Sequence, residues 1–317
     1  MTILITGGTG FTGSFLARHL IETTNEDLIL FDYNINEKRI SDIKDNPKIE
    51  ILKGDLSNWS EIKQLSKSYQ INNIFHFGSL MPPFTETQSE TAFQVNIQGT
   101  FNILEYANLF SVSNVFYASS AAIYSPGVDL PITEKTYREP LTMYGVGKVC
   151  SEVMGVYYRR RKNVNFVTLR FPALIGPGRT GAGMTIYANN IIQYPAQGME
   201  AICNVEADIT IPMLYIKDAT RLLGSLLYRD INESAYNLDG FWISARELAS
   251  YVQKEIPTAV IEYEPDMELS FLLNFLSMME GDDTLIRRDL NFEPEYSPEK
   301  LVKDFITDVQ RNSHYQI

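Results

Sequence analysis

Ile3-Leu4-Ile5-Thr6-Gly7-Gly8-Thr9-Gly10-Phe11-Thr12-Gly13 is the stretch that decides the fold. A short apolar run enters glycines spaced G-x-x-G-x-x-G, and an amphipathic stretch follows from about Phe11 to Glu22. In such a strand–loop–helix unit one glycine allows the tight turn, one lets the backbone approach a pyrophosphate, and one lets the helix pack closely on the sheet. The helix N-terminus adds unpaired N–H groups and the positive end of its dipole. A bare glycine triplet is weak, and its place between strand and helix gives it weight. Gly7, Gly10, Phe11, Thr12 and Gly13 are therefore candidate dinucleotide-binding residues.

Outward from the loop, apolar runs alternate with helix-length segments. Leu28-Ile29-Leu30-Phe31 ends in Asp32, and Ile49-Glu50-Ile51-Leu52 ends before Gly54-Asp55. Asn73 to Phe77, Val115 to Ala118 and Phe166 to Arg170 follow. Short apolar strands alternating with helices imply a parallel sheet covered on both faces. Asp32 stands about 20 residues beyond the loop, where an acid accepts hydrogen bonds from the adenosine ribose. Its charge would repel a 2′-phosphate, so NAD is favoured over NADP, and Arg39 is not counted as a phosphate reader. Asp55 is a candidate for the adenine edge or an ordinary loop cap.

The 317-residue length passes the roughly 250–300 residues at which one hydrophobic core stops growing. We expect a cofactor domain over 1–175, to which a later strand near 235–240 returns, and a substrate-binding lobe over 176–317. Ser244 to Glu247 reads as a capping box, and Ser297-Pro298 as the start of a last helix. A net charge of −12 argues against a nucleic-acid or anionic-membrane surface. Two cysteines and three scattered histidines lack metal-ligand spacing, so no metal site is expected. No apolar run approaches the ~18–20 residues of a membrane span, and no signal peptide is read at Met1, so a cytoplasmic protein is expected.

Tyr144-Gly145-Val146-Gly147-Lys148 has the form Y-x-x-x-K. On a helix, residues i and i+4 share a face, which sets an ammonium beside a phenol. A free tyrosine is a poor base at neutral pH, and a nearby cation favours its phenolate. Ser120, after the fifth run, would donate to or accept from a substrate oxygen. Ser120, Tyr144 and Lys148 are the candidate catalytic set.

With these residues in place the chain resembles the extended short-chain dehydrogenases/reductases, the NAD-dependent epimerase/dehydratase superfamily. The resemblance covers nearly the whole chain. It rests on Gly7 to Gly13, Asp32, Asp55-Leu56, Asn96 to Thr100, Ser119 to Tyr124, Tyr144 to Lys148, Arg170-Phe171-Pro172 and a tail from Asp283 to Pro294. It implies a Rossmann-type doubly wound parallel sheet of the α/β class, with a smaller C-terminal substrate lobe. Lys148 would also bind the nicotinamide ribose, Phe171 and Pro172 would flank the nicotinamide, and Asn96 would stabilise a helix. Leu56, Phe77, Gly78 and Ser79 join the expected cofactor-binding residues. A homodimer through the helices around 93–108 and 144–160 is implied as well.

The superfamily holds both dehydrogenases and nucleotide-sugar epimerases, and an epimerase needs a cationic anchor for the diphosphate. The arginine that sugar-nucleotide members carry is replaced in Ile209 to Asp218. Gly181 to Ala188 with Ile211 to Tyr215 is similar to the short-chain L-threonine 3-dehydrogenases, and Ala188 to Ile192 with Gly198 to Cys203 to the D-erythronate dehydrogenases. Ile186 stands where the threonine enzymes have an acid. The expected activity is oxidation of a secondary alcohol on a small hydroxy acid or polyol acid. Met81, Arg179 and Thr185, with Ser120 and Tyr144, are the expected substrate contacts. Alternatives are a nucleotide-sugar 4-epimerase or dehydratase anchored by Arg287 or Arg288, and a non-catalytic NAD sensor.

Overall fold

The structure, a computed structural model, describes residues 1–181 and 183–317. Ala182, inside one quoted motif, lies outside the described residues. The chain divides into two compact units, 1–125 with 134–171 and 220–237, and 126–133 with 172–219 and 238–317.

The first unit is built on a seven-stranded sheet. Its strands are β1 (Thr2–Thr6), β2 (Asp27–Asp32), β3 (Ile49–Lys53), β4 (Ile71–His76), β5 (Asn114–Ser120), β6 (Asn165–Phe171) and one from far along the chain, Ala235–Asn237. The order is 3-2-1-4-5-6 with Ala235–Asn237 beyond β6, and every pairing is parallel. The sheet is doubly wound and reverses direction at β1, flanked by β2 and β4, which is where such sheets bind ligands. β1, β2 and β4 to β6 are almost wholly buried, as expected of strands covered on both faces. On one face a cluster including Leu4, Ile29, Phe31, Ile74, Val115, Tyr117 and Phe166 forms the core. Register brings the functional strand ends level: Thr6 pairs with Phe31 and His76, His76 with Tyr117, and Ser120 with Phe171.

In the second unit, Ala173–Ile175, Thr210–Tyr215 and Phe241–Ser244 form a three-stranded sheet, and Ala201–Cys203 with Ile261–Tyr263 a two-stranded one. The helices Ile186–Ala196, Ala245–Glu255 and Pro298–Arg311 pack on one another. Ser244 and Glu247 form the capping box, and Pro298 opens the last helix under a Ser297 cap. Asp218 is buried and accepts from the backbone N–H groups of Glu295 and Tyr296 at 2.9 and 3.1 Å. Lys217 is held by Asp304 and Asp308 at 2.6 and 2.7 Å.

Candidate active site

The glycine loop leaves no room for side chains. Gly7 has φ +64°, and a Cβ on it would lie 2.9 Å from the Gly78 nitrogen. A Cβ on Gly13 would lie 2.3 Å from the Gly7 carbonyl oxygen. The helix Phe11–Thr23 starts at Gly10 with no side-chain cap and no acid in its first turn. Its dipole end is thus left to an outside anion. Asp32 braces the loop: one carboxylate oxygen accepts from the Thr9 N–H at 3.0 Å and the Thr9 hydroxyl at 2.8 Å. Arg39 lies within electrostatic reach of Asp32, nearer than its sequence position suggests. The neighbouring Arg18 is paired with Asp42 at 2.6 Å.

Other expected cofactor residues fall into two kinds. Asp55 accepts from the Ser57 N–H and hydroxyl, both at 2.8 Å, a local loop cap on one oxygen. Leu56 is buried, close enough that a Cβ on Gly78 would come within 2.4 Å of it. Gly78 donates its N–H to the Thr6 hydroxyl at 3.1 Å. Phe77 follows β4 and lies against Phe75. Phe171 ends β6, buried, and Pro172 is the next residue of the chain, in the second unit.

Tyr144 and Lys148 lie on the helix Met143–Arg161, whose Thr142 cap accepts from the Gly145 N–H at 3.1 Å. Glu86 accepts from the Met143 and Tyr144 N–H groups at 3.0 and 3.3 Å. Lys148 is 3% exposed; its Nζ donates to the Ala118 carbonyl at 2.7 Å and lies 4.8 Å from the Tyr117 ring centre and 5.3 Å from that of Tyr144. Burial pushes its ammonium down to about 7, opposed by the charge of Glu152. Ser120 ends β5, and its Oγ accepts from the Ala122 N–H at 3.2 Å, which leaves its hydrogen free to donate elsewhere.

Sequence reasoning passed over what holds this set together. Gly145 and Gly147 fill the middle of Y-x-x-x-K. A Cβ on Gly145 would lie 2.4 Å from the Ala122 carbonyl, and one on Gly147 3.2 Å from the Asn96 Cβ. Two glycines in one helical turn cost about 1 kcal/mol each against alanine, a signal of close packing. Asn96 does more than stabilise its helix. It sits in a π-helical segment, Phe93–Gln98, accepts from the Leu80 N–H at 2.7 Å and the Ser79 hydroxyl at 3.1 Å, and donates to the Leu80 carbonyl at 3.0 Å. The amide thus fixes the segment that carries Ser79 and the exposed Met81.

His76 is buried between Thr6 and Thr100, 2.6 and 3.1 Å from their hydroxyls. Burial, helped by the Lys148 charge, pushes it down to about 3. The unfolded chain takes up this proton near pH 6.5 and the folded chain does not. Stability from this group is therefore complete above about pH 6.5 and falls as pH drops toward 3, by at most about 1.4 kcal/mol per unit. Denaturant unfolding at a series of pH values should show His76→Gln with a shallower acid slope than wild type.

In the second unit, Arg179 donates to the Leu174 carbonyl at 2.8 Å and to the Thr185 hydroxyl at 3.1 Å, so these two expected substrate residues stand together.

Comparison with known proteins decides the family, because the pattern of the NAD dependent epimerase/dehydratase family matches residues 3–238. The chain belongs to that family. Like other members of the NAD dependent epimerase/dehydratase family it is an enzyme of the extended short-chain dehydrogenase type. The mitochondrial L-threonine 3-dehydrogenase of Bos taurus is 28% identical over 315 residues, covering 95% of this chain and 80% of that protein. The L-threonine dehydrogenase of Clostridium difficile has a TM-score of 0.88 at 26% identity, covering 98% of both chains. The dTDP-glucose 4,6-dehydratase of Bacillus anthracis shares the fold, with a TM-score of 0.83 at 18% identity over 100% of this chain and 98% of that one.

Family and fold imply NAD. The glycine loop fits it: the Cβ-free cradle and the uncapped helix start suit a pyrophosphate, and the Asp32 carboxylate suits a ribose. Among the described residues no cluster of metal-ligating side chains occurs, and no helix is long and apolar enough to cross a membrane.

Proposed function

We propose that the chain is an NAD-dependent dehydrogenase acting on the secondary alcohol of a small hydroxy acid or polyol acid. The observation that carries this reading is the Lys148 ammonium, buried beside the Tyr144 ring in the unit that holds the glycine cradle. The relatives named as threonine dehydrogenases support oxidation of an alcohol on a small acid.

Gly7, Gly10, Phe11, Thr12 and Gly13 would hold the cofactor's pyrophosphate and Asp32 its adenosine ribose. Asp55 and Leu56 would serve the adenine side. Phe77, Gly78, Ser79, Phe171, Pro172 and Lys148 would serve the nicotinamide side. NAD, when bound, supplies the hydride acceptor. Lys148 in its charged form favours the Tyr144 phenolate. The Tyr144 oxygen takes the substrate's hydroxyl proton, and the Ser120 hydroxyl donates to the oxygen that becomes a carbonyl. Arg179, held with Thr185, is the proposed carboxylate-binding residue, and Met81 the apolar contact. Ile186 offers nothing to an ammonium group, so the substrate of this reading lacks one.

Purified protein with NAD should generate NADH absorbance on a panel of aldonates and 3-hydroxy acids, with threonine the poorest member. Silence across the panel sinks the reading. For the epimerase alternative, the proposed anchors Arg287 and Arg288 are exposed and each pairs with an acid, Asp283 at 2.8 Å and Asp289 at 2.6 Å, so a diphosphate would have to displace those acids. Preference for NAD over NADP follows from Asp32 and is checked by comparing the two dissociation constants.

A homodimer belongs to the same proposal. Val146, Val153 and Tyr157 are exposed on one stripe of the Met143–Arg161 helix, and Phe93 and Phe101 are exposed in the preceding helical stretch. Val153→Asp, which places a charge in such an interface, should weaken association by about thirtyfold or more. Light scattering across a dilution series reads this, and a wild-type chain that is monomeric throughout refutes the dimer.

A further inference from the structure

Behind the candidate catalytic set lies a buried charge cluster that the proposed mechanism does not use. Glu152 is 1% exposed and stands one helical turn beyond Lys148, on the same face. Its carboxylate accepts from the Ser119 hydroxyl at 2.6 Å, from Arg170 Nε and Nη2 at 3.0 and 2.8 Å, and from Arg138 Nη1 at 2.9 Å. Arg170, also buried, donates through Nη1 to the Tyr124 hydroxyl at 2.7 Å, the Glu134 carbonyl at 3.1 Å and the Asn237 side-chain oxygen at 3.3 Å. A carboxylate so enclosed is costly unless its donors are fixed, and here two guanidiniums and a hydroxyl fix it.

The arrangement is more than a structural pin because of where its ends reach. Ser119 is the residue before Ser120 on β5, and Lys148 shares the helix of Glu152. One carboxylate therefore ties the strand end that presents Ser120 to the helix that presents Tyr144 and Lys148. One helical turn from Lys148, its charge also acts through space to favour the ammonium. The other titratable or charged groups packed around the pair are Tyr117 on β5, the neutral His76 on β4, Tyr144 on the same helix, and Arg170, Arg138, Tyr124 and Glu134 around Glu152. The Glu134 carboxylate is turned to the Asn237 N–H at 2.8 Å.

We propose that Glu152 is a positioning residue of this site: through Ser119 it fixes the strand end carrying Ser120, and it supplies the counter-charge that keeps Lys148 an ammonium. This rests on the reading of Ser120, Tyr144 and Lys148 as the acting set. Removing the anion must lower the Lys148 titration, because the Glu152 charge is what opposes the effect of burial there.

The deciding measurement is the carbon-13 shift of the Lys148 ε-carbon in full-length protein, assigned with Lys148→Met and followed against pH. Glu152→Gln should lower the midpoint by about one pH unit, a tenfold change in protonation. Should Glu152→Gln fail to fold, Arg138→Met serves with the opposite sign: removing a cation beside Glu152 should raise the Lys148 midpoint. In the enzyme assay, Ser119→Ala should lower kcat about tenfold at unchanged KM for NAD, and Ser119→Thr should restore it. An unmoved midpoint overturns the proposal, and so does a Ser119→Ala enzyme with kcat within about twofold of wild type. The shift measurement needs neither substrate nor cofactor, so a chain silent on every hydroxy acid would sink the functional reading without touching this result.

Discussion

Tyr144→Phe should reduce turnover by about a hundredfold to ten-thousandfold, the range of a positioned acid–base group, while NAD binding and melting temperature stay near wild type. The substitution removes one oxygen and keeps the ring that faces the Lys148 ammonium at 5.3 Å. It also leaves the helix start untouched, since Thr142 and Glu86 bond to backbone there. NADH formation under saturating substrate, with cofactor affinity measured on the same preparation, separates chemistry from binding. A Tyr144→Phe enzyme with wild-type kcat would assign the proton transfer to another group. A chain whose wild type binds NAD tightly and never turns over, whatever the substrate, would instead fit a sensing role.

Gly13→Ala should cost the cofactor site most. The new methyl carbon would sit 2.3 Å from the Gly7 carbonyl oxygen and 2.7 Å from the Gly8 Cα. Both neighbours are backbone, so no rotamer change relieves the clash and the loop itself must move. Overpacking of this kind costs about 1–3 kcal/mol, and each 1.4 kcal/mol carried into binding is about tenfold in affinity. NAD affinity should fall by about tenfold to a hundredfold, read by titration calorimetry. Gly281→Ala is the control, because nothing lies within 4 Å of a Cβ there. Equal affinities in the two variants would show that the loop does not hold the pyrophosphate.

The parts of the fold that are local in sequence were legible in sequence. β1, β2 and β4 to β6 are runs of apolar residues, the Ser244–Glu247 capping box spans four residues, and Gly7 to Gly13 carries its meaning in its spacing. The candidate catalytic pair was legible for the same reason, since Tyr144 and Lys148 are one helical turn apart. Glu152 was not. Its partners Arg138, Arg170 and Ser119 lie 14, 18 and 33 residues away, on a loop and two strands; sheet register sets Ser119 beside Arg170, and helix packing on those strands brings Glu152 to them. Arg170 was seen as part of a family motif and not as the buried cation it is. For Asn96 the family resemblance implied only a helix-stabilising role; its bonds to Ser79 and Leu80 cross 16 or 17 residues from a π-helical segment and leave no periodic trace in the sequence. The segment 126–133, which joins the second unit, carries no composition signal that separates it from its neighbours.

The pairing of Ala235–Asn237 with β6 sets a schedule for synthesis. On the ribosome, β6 emerges more than sixty residues before the strand that covers its flank, as their positions at 165–171 and 235–237 require. Until then an apolar parallel strand presents an open row of N–H and C=O groups, the kind of edge that recruits other chains. Nascent chains halted before Asn237 should therefore be the aggregation-prone species and those halted well beyond it the protected ones. Slow codons or chaperone binding within 172–234 would weigh on yield more than the same delay placed after the short Ala235–Asn237 strand has paired with β6.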